Sequence, residues 1–178
     1  MRSLLAIFTI AVTILLCGNF CFADTQVYFS PNGGCQNAII AEVGKAQKTI
    51  NIAMYYLTSR EVAQELVKAK DRGVKIRIVL DQSQETQGYS KSRYLIKRGF
   101  DVRYYVGPGL MHNKFTIIDN KVLITGSFNW TARAEAENEE NLLVMIDKDL
   151  IMKYQTRFDY LLEKSRNGEL KEGQDNEE

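Results

Sequence analysis

The chain has 178 residues, 45% of them apolar and 10% aromatic, with two prolines and a formal charge of +1 at neutral pH. That length and composition fit one globular domain and exclude a disordered, collagen-like or disulfide-dense chain. There is a single histidine, His112, so a mechanism needing two imidazoles must take the second from another copy of the chain.

Met1-Arg2 gives a positive start, Leu4 to Leu16 is almost wholly apolar, and Cys21-Phe22-Ala23 offers a small-x-small cleavage pattern before Asp24. Residues 1–23 therefore read as a secretory signal peptide, the alternative being a retained membrane anchor. Cleavage after Ala23 removes Cys17 and Cys21 and leaves Cys35 alone. No internal disulfide is expected, and the core must hold the domain together. Cys35 reads as a half-buried free thiol, with a bridge between two subunits as the other option.

Val27-Tyr28-Phe29 is a short strand closed by the turn cluster Ser30-Pro31-Asn32-Gly33-Gly34. A helix follows over Ala38–Ala46, then a strand-like run from Thr49 to Tyr56. Thr58-Ser59-Arg60-Glu61 has the capping-box pattern with Thr58 as N-cap, and the helix it opens ends at Gly73. Val74, Ile76, Ile78 and Leu80 alternate with Lys75 and Arg77 in the next strand. A second helix-to-strand unit runs through Tyr94-Leu95-Ile96 and Phe100–Val106, and its Arg98-Gly99 junction echoes Arg72-Gly73. Lys114–Asp119 and Lys121–Thr125 are strands joined by a tight Asp119-Asn120 turn. Leu142–Ile146 is a further strand, and Leu150 to Leu162 a closing helix. Alternating strands and helices predict an α/β domain over residues 24–166 whose sheet is mixed and mostly parallel.

The tail from residue 167 to 178 holds five acids and one base and reads as acidic and disordered. With Arg2 also set aside, 21 bases face 17 acids in residues 24–166, a body charge of +4. A basic body is compatible with a polyanionic substrate.

The chemistry concentrates in His112-Asn113-Lys114 and in Gly126-Ser127-Phe128-Asn129. Side chains two apart on a strand share a face, so His112 and Lys114 point together. An imidazole beside an ammonium suits attack on an anion, the lysine neutralising charge while the ring acts as nucleophile or base. Asp119 is an odd number of residues from His112 and reads as a turn and support residue. Ser127 and Asn129 are neutral donors for phosphate oxygens, and Asn138-Glu139-Glu140-Asn141 can bring a carboxylate to the imidazole. Lys91, Arg93, Lys97 and Arg98 give the neighbourhood after the Asp81 strand end a basic character. Tyr89, Tyr104, Tyr105 and Trp130 are candidates for stacking on unpaired bases. No His/Cys/acid cluster has metal-ligand spacing, so neither metal nor cofactor is expected.

His112-x-Lys114-x4-Asp119-x6-Gly126-Ser127-x-Asn129 resembles the HKD motif of the phospholipase D superfamily. Val27–Pro31, Ala53–Thr58, Lys70–Val74, Thr125–Thr131 and Glu139-Glu140-Asn141 look like its small secreted bacterial nuclease branch. The resemblance implies a phospholipase D-like αβα sandwich and a periplasmic or secreted bacterial enzyme. It implies a homodimer sharing one active site, because one motif per chain is normal in that branch. It also implies a metal-independent endonuclease for DNA, with RNA as a further candidate substrate, in which His112 of one subunit forms a phosphohistidine and His112 of the other protonates the leaving group. Lys114 and Asn129 would hold the non-bridging oxygens and Ser127 assist. Glu140 corresponds to the histidine-orienting glutamate, with Glu139 as the adjacent alternative. The pH–rate profile is then expected to be bell-shaped. Two rival readings stand beside this one: a lipid phosphodiesterase of the same superfamily acting at a membrane, and a nucleic-acid-binding module without catalysis.

Overall fold

The computed structural model describes residues 25–169; the leader and most of the acidic tail lie outside them. The elements run β1 (Thr25–Ser30), α1 (Cys35–Lys45), β2 (Thr49–Met54), α2 (Arg60–Asp71), β3 (Lys75–Asp81), a single 3-10 turn (Gln82–Glu85), α3 (Ser92–Lys97) and β4 (Asp101–Tyr105). After these come β5 (Lys114–Ile118), β6 (Val122–Gly126), α4 (Ala132–Ala136), β7 (Glu140–Met145), α5 (Lys148–Glu163) and β8 (Ser165–Asn167).

All eight strands form one sheet in the order β1-β7-β6-β5-β2-β3-β4-β8. Only β2–β3 and β3–β4 pair parallel; the other five pairings are antiparallel. The sheet is mixed, as expected, but mostly antiparallel rather than mostly parallel. The reason lies in the connections. Only the first half of the chain alternates strand with crossover helix, whereas β5 and β6 form a hairpin and β7 returns beside them.

Alternation along each strand sorts side chains to two faces. On one face Ile50, Ile52, Ile78 and Leu80 pack under Ile39 and Val43 of α1 and Val62 and Leu66 of α2. On the other, Ala53, Val79, Phe115, Ile117 and Leu123 lie under Ile151, Phe158 and Leu161 of α5. The result is an αβα sandwich.

Local chemistry sets the element ends. Ser59, not Thr58, caps α2, its hydroxyl accepting from the Val62 amide at 3.2 Å. The Thr58 and Ser59 amides both donate to the Trp130 carbonyl at 2.9 Å, which fixes the chain just ahead of the helix. Asp147 and Thr131 cap α5 and α4 in the same way. Asp119 and Asn120 both have φ of 53°, the left-handed geometry of a two-residue hairpin turn that aspartate and asparagine tolerate. Strand β8 was not anticipated: Asn167 pairs with Arg103, and the Gly168 amide donates to the Val102 carbonyl. The Arg166 guanidinium also meets the Glu85 carboxylate, tying this edge to the 3-10 turn.

Candidate active site

Strand direction brings six ends together. β1 and β2 finish at Ser30 and Met54, β3 at Asp81 and β6 at Gly126, while β5 starts at Lys114 and β7 at Glu140. The register pairs Met54 with Lys114 and Ser30 with Glu140. The sequence segments that looked chemical therefore converge on one end of the sheet.

At its centre Lys114 is buried, 9% exposed, while His112 lies open to solvent just before β5. The Lys114 Nζ sits 3.2 Å from His112 Nδ1 and donates to the His112 carbonyl at 2.8 Å. Burial pushes the Lys114 ammonium below an ordinary lysine's value, and the Glu140 charge partly restores it. One ammonium thus touches both the ring and the backbone of His112.

Asn129 and Ser127 are arranged as donors. The Asn129 Oδ1 accepts the Tyr56 amide at 3.3 Å, which leaves its NH2 group for an incoming oxygen. The Ser127 hydroxyl oxygen accepts from the Asn141 amide at 3.1 Å, leaving its proton to give. Gly126 is required here, because a Cβ on it would overlap the Asn141 carbonyl oxygen. Glu140 is half-buried and accepts from Asn138 Nδ2 at 3.0 Å; its hydrogen bond goes there rather than to the imidazole, and its charge acts on Lys114. Glu139, the adjacent alternative, is exposed.

Asp119 lies at the far end of β5, about 16 Å away at a strand's rise per residue. Its carboxylate accepts three backbone amides, from Gln47 at 2.9 Å, Lys48 at 2.7 Å and Thr49 at 2.8 Å. Partial burial raises its pKa, but those three donors and Lys121 outweigh that and hold it below the usual carboxylate range. Its place is that of a support residue, remote from the imidazole.

Burial corrects the reading of three aromatics and of Cys35. Trp130 is 1% exposed, bridging to Leu57 in the core, so its ring is not available to stack on a base. Tyr104 and Tyr105 are buried too, whereas Tyr89 is 63% exposed. Arg93 is half-buried and turns its Nη2 to the Glu85 carbonyl at 3.4 Å, and Lys91 is half-buried at the start of α3 with its amide on the Leu57 carbonyl. Cys35 is fully buried, and burial, with the Glu135 charge, pushes its thiol up to about 11. That rules out a bridge between subunits through this surface and makes the thiol inert.

Two residues of the site escaped sequence reasoning. Asp81, 3% exposed, accepts the Met111 amide at 2.8 Å and the Ser83 amide at 3.0 Å, and so pins the loop that carries His112. The signal was an acid closing the apolar run Val79-Leu80, at a strand end where α/β folds meet ligands. Tyr55, the first residue beyond β2, lies with its ring 4.4 Å from the imidazole; no local signal marks it. Among the described residues no group of three or more His, Cys, Asp or Glu side chains is placed to hold a metal ion.

Fold and site together define a class: αβα-sandwich domains that set a His-x-Lys pair at the entrance to a central strand. The chain belongs to the phospholipase D-like family, its residues 39–162 matching the family model described as cardiolipin synthase, PLD-like domain. It is 40% identical over 126 residues to a phospholipase D of Rickettsia conorii, an alignment covering 71% of this chain and 63% of that protein. The chain thus spans under two thirds of that relative's length. Among solved structures it resembles Nuc from Salmonella typhimurium, a phospholipase D family member, at 29% identity and a TM-score of 0.78, covering 82% of this chain and 98% of the other. NucT from Helicobacter pylori is similar at 26% identity and a TM-score of 0.78, covering 82% and 99%.

Proposed function

We propose that this domain is a metal-independent phosphodiesterase that cleaves nucleic acid through a covalent phosphohistidine. The observation that carries the reading is an open imidazole 3.2 Å from a largely buried ammonium, His112 and Lys114, at one end of the sheet. The ammonium balances the charge that builds on a phosphodiester in the transition state, and the ring supplies the nucleophile.

In the first step His112 Nε2 attacks phosphorus, the P–N bond forms and the P–O bond to the leaving oxygen breaks. That oxygen takes a proton from a second imidazole. Since the chain has one histidine, the second is His112 of the partner subunit, and the active unit is a two-fold dimer. Water then attacks phosphorus, the second imidazole takes the water's proton, and the P–N bond breaks to release the phosphate product. Lys114 and the Asn129 amide hold the non-bridging oxygens, with the Ser127 hydroxyl donating alongside. An apolar leader ahead of the domain supports an exported setting, periplasmic or secreted.

A second reading, a lipid phosphodiesterase, has its own support. Leu110, two residues before His112, is 65% exposed, and the Rickettsia conorii relative is a phospholipase D. Against it stands the +4 body charge, which suits an extended polyanion better than a lipid surface of mixed charge.

The test is residues 24–178 with plasmid, single-stranded DNA, RNA and phosphatidylcholine vesicles, each with and without EDTA. The proposal expects nucleic-acid cleavage that EDTA does not reduce and that His112→Ala abolishes. Lipid turnover without nucleic-acid cleavage selects the second reading. DNA retention without cleavage selects a binding module.

A further inference from the structure

We propose that Tyr55 is a positioning residue for the reacting pair, its ring the platform on which both the His112 imidazole and the Lys114 ammonium are seated. The inference rests on reading that pair as the group that attacks phosphorus. His112 precedes β5, so no strand ladder fixes its ring, and its side chain is exposed. What meets the ring laterally is Tyr55, with ring centroids 4.4 Å apart and planes tilted by 57°. The Lys114 Nζ lies over the same ring, 5.0 Å from its centroid. One aromatic face thus touches both halves of the pair.

Tyr55 is itself held firmly. It follows β2 directly, where Met54 is registered against Lys114, and its ring packs on Tyr56 at 4.2 Å. Hydrogen bonding to Tyr56, with burial, raises the Tyr55 hydroxyl to about 12. The phenol is therefore un-ionised at neutral pH and offers no base. What it offers is the negative face of its ring, which attracts an ammonium and, once formed, an imidazolium. A cation held at a fixed height over that face keeps Nζ within reach of Nδ1, and the tilt stops the imidazole from swinging to solvent.

The test compares Tyr55→Phe with Tyr55→Leu in the full domain, using bis(p-nitrophenyl) phosphate so that nucleic-acid binding plays no part. The expected result is that Tyr55→Phe keeps kcat within about twofold, since the ring face remains. Tyr55→Leu is expected to lower kcat by about tenfold or more while KM stays within about twofold, because orientation rather than affinity is lost. Because His112 is the one histidine, its imidazole proton signals are unambiguous in an NMR spectrum. They should sit upfield in the wild type and in Tyr55→Phe and move to the position of a free imidazole in Tyr55→Leu. Full kcat in Tyr55→Leu overturns the proposal, and so does a Tyr55→Phe loss as deep as that of Tyr55→Leu. If no variant, nor the wild type, turns over any phosphodiester, the phosphodiesterase reading has failed. The imidazole signals then decide the platform alone: unmoved signals in Tyr55→Leu reject it, displaced signals retain it.

Discussion

The two ends of β5 belong to one short motif yet do opposite work. At one end His112 is open and Lys114 is pulled below its ordinary basicity by burial. At the other, Asp119 spends its whole carboxylate on three amides at the start of β2 and turns the chain into β6. The His112 end leaves an imidazole open beside an ammonium, whereas the Asp119 end leaves little unsatisfied. A motif can thus run the length of a strand and divide chemistry from support.

The sharpest way to break this comparison is to swap which end is damaged. Removing the nucleophile with His112→Ala should cut phosphodiester turnover by about 10³-fold or more, and Lys114→Met by about 10²-fold. His112→Ala should not move the melting temperature by more than about 2 °C, because little packing is lost at an exposed surface. A Lys114→Met enzyme with full activity would refute the charge argument.

Damage at the anchoring end should do the reverse. Asp119→Ala strands three backbone amides, and we expect about 2 kcal/mol less stability in urea denaturation, with activity per folded molecule nearly intact. The pH dependence sharpens this. The Asp119 pKa is depressed in the folded state, so its contribution is fully present above the ordinary carboxylate value and is lost as pH falls through the lower folded one. The stability gap between wild type and Asp119→Asn should therefore be steady near neutrality and shrink in acid. A gap that widened on acidification would show the carboxylate to be unimportant as an anion.

The smallest effect lies between the two ends. Thr116 is fully buried on the same strand, and its hydroxyl has no hydrogen-bond partner. Thr116→Val should raise stability by about 1 kcal/mol, since an unsatisfied hydroxyl is replaced by a methyl group of similar shape. A loss on this substitution would mean the hydroxyl is satisfied in solution.

Much of the fold was legible because its signals are local. The alternation of Val74, Ile76, Ile78 and Leu80 marks β3 without any neighbour, and Asp119-Asn120 marks its own turn. Strand direction was not legible in that way. Whether β2 meets β5 antiparallel depends on side chains some sixty residues apart along the chain, and no window of sequence contains both. Where the chain enters α2, with Ser59 rather than Thr58 as its cap, also involves a distant group, the Trp130 carbonyl that accepts from both amides.

The sequence by itself singled out the candidate groups: one imidazole, a lysine two residues on, and neutral donors at Ser127 and Asn129. Chemical identity and strand spacing are properties of a short segment, so they needed no fold. Only the tertiary structure decided which aromatic ring meets the imidazole, that Trp130 is core and Tyr55 is not, and that Asp81 holds the loop carrying His112. Those outcomes follow from burial and from contacts between remote strands, which a chain acquires only when its sheet closes.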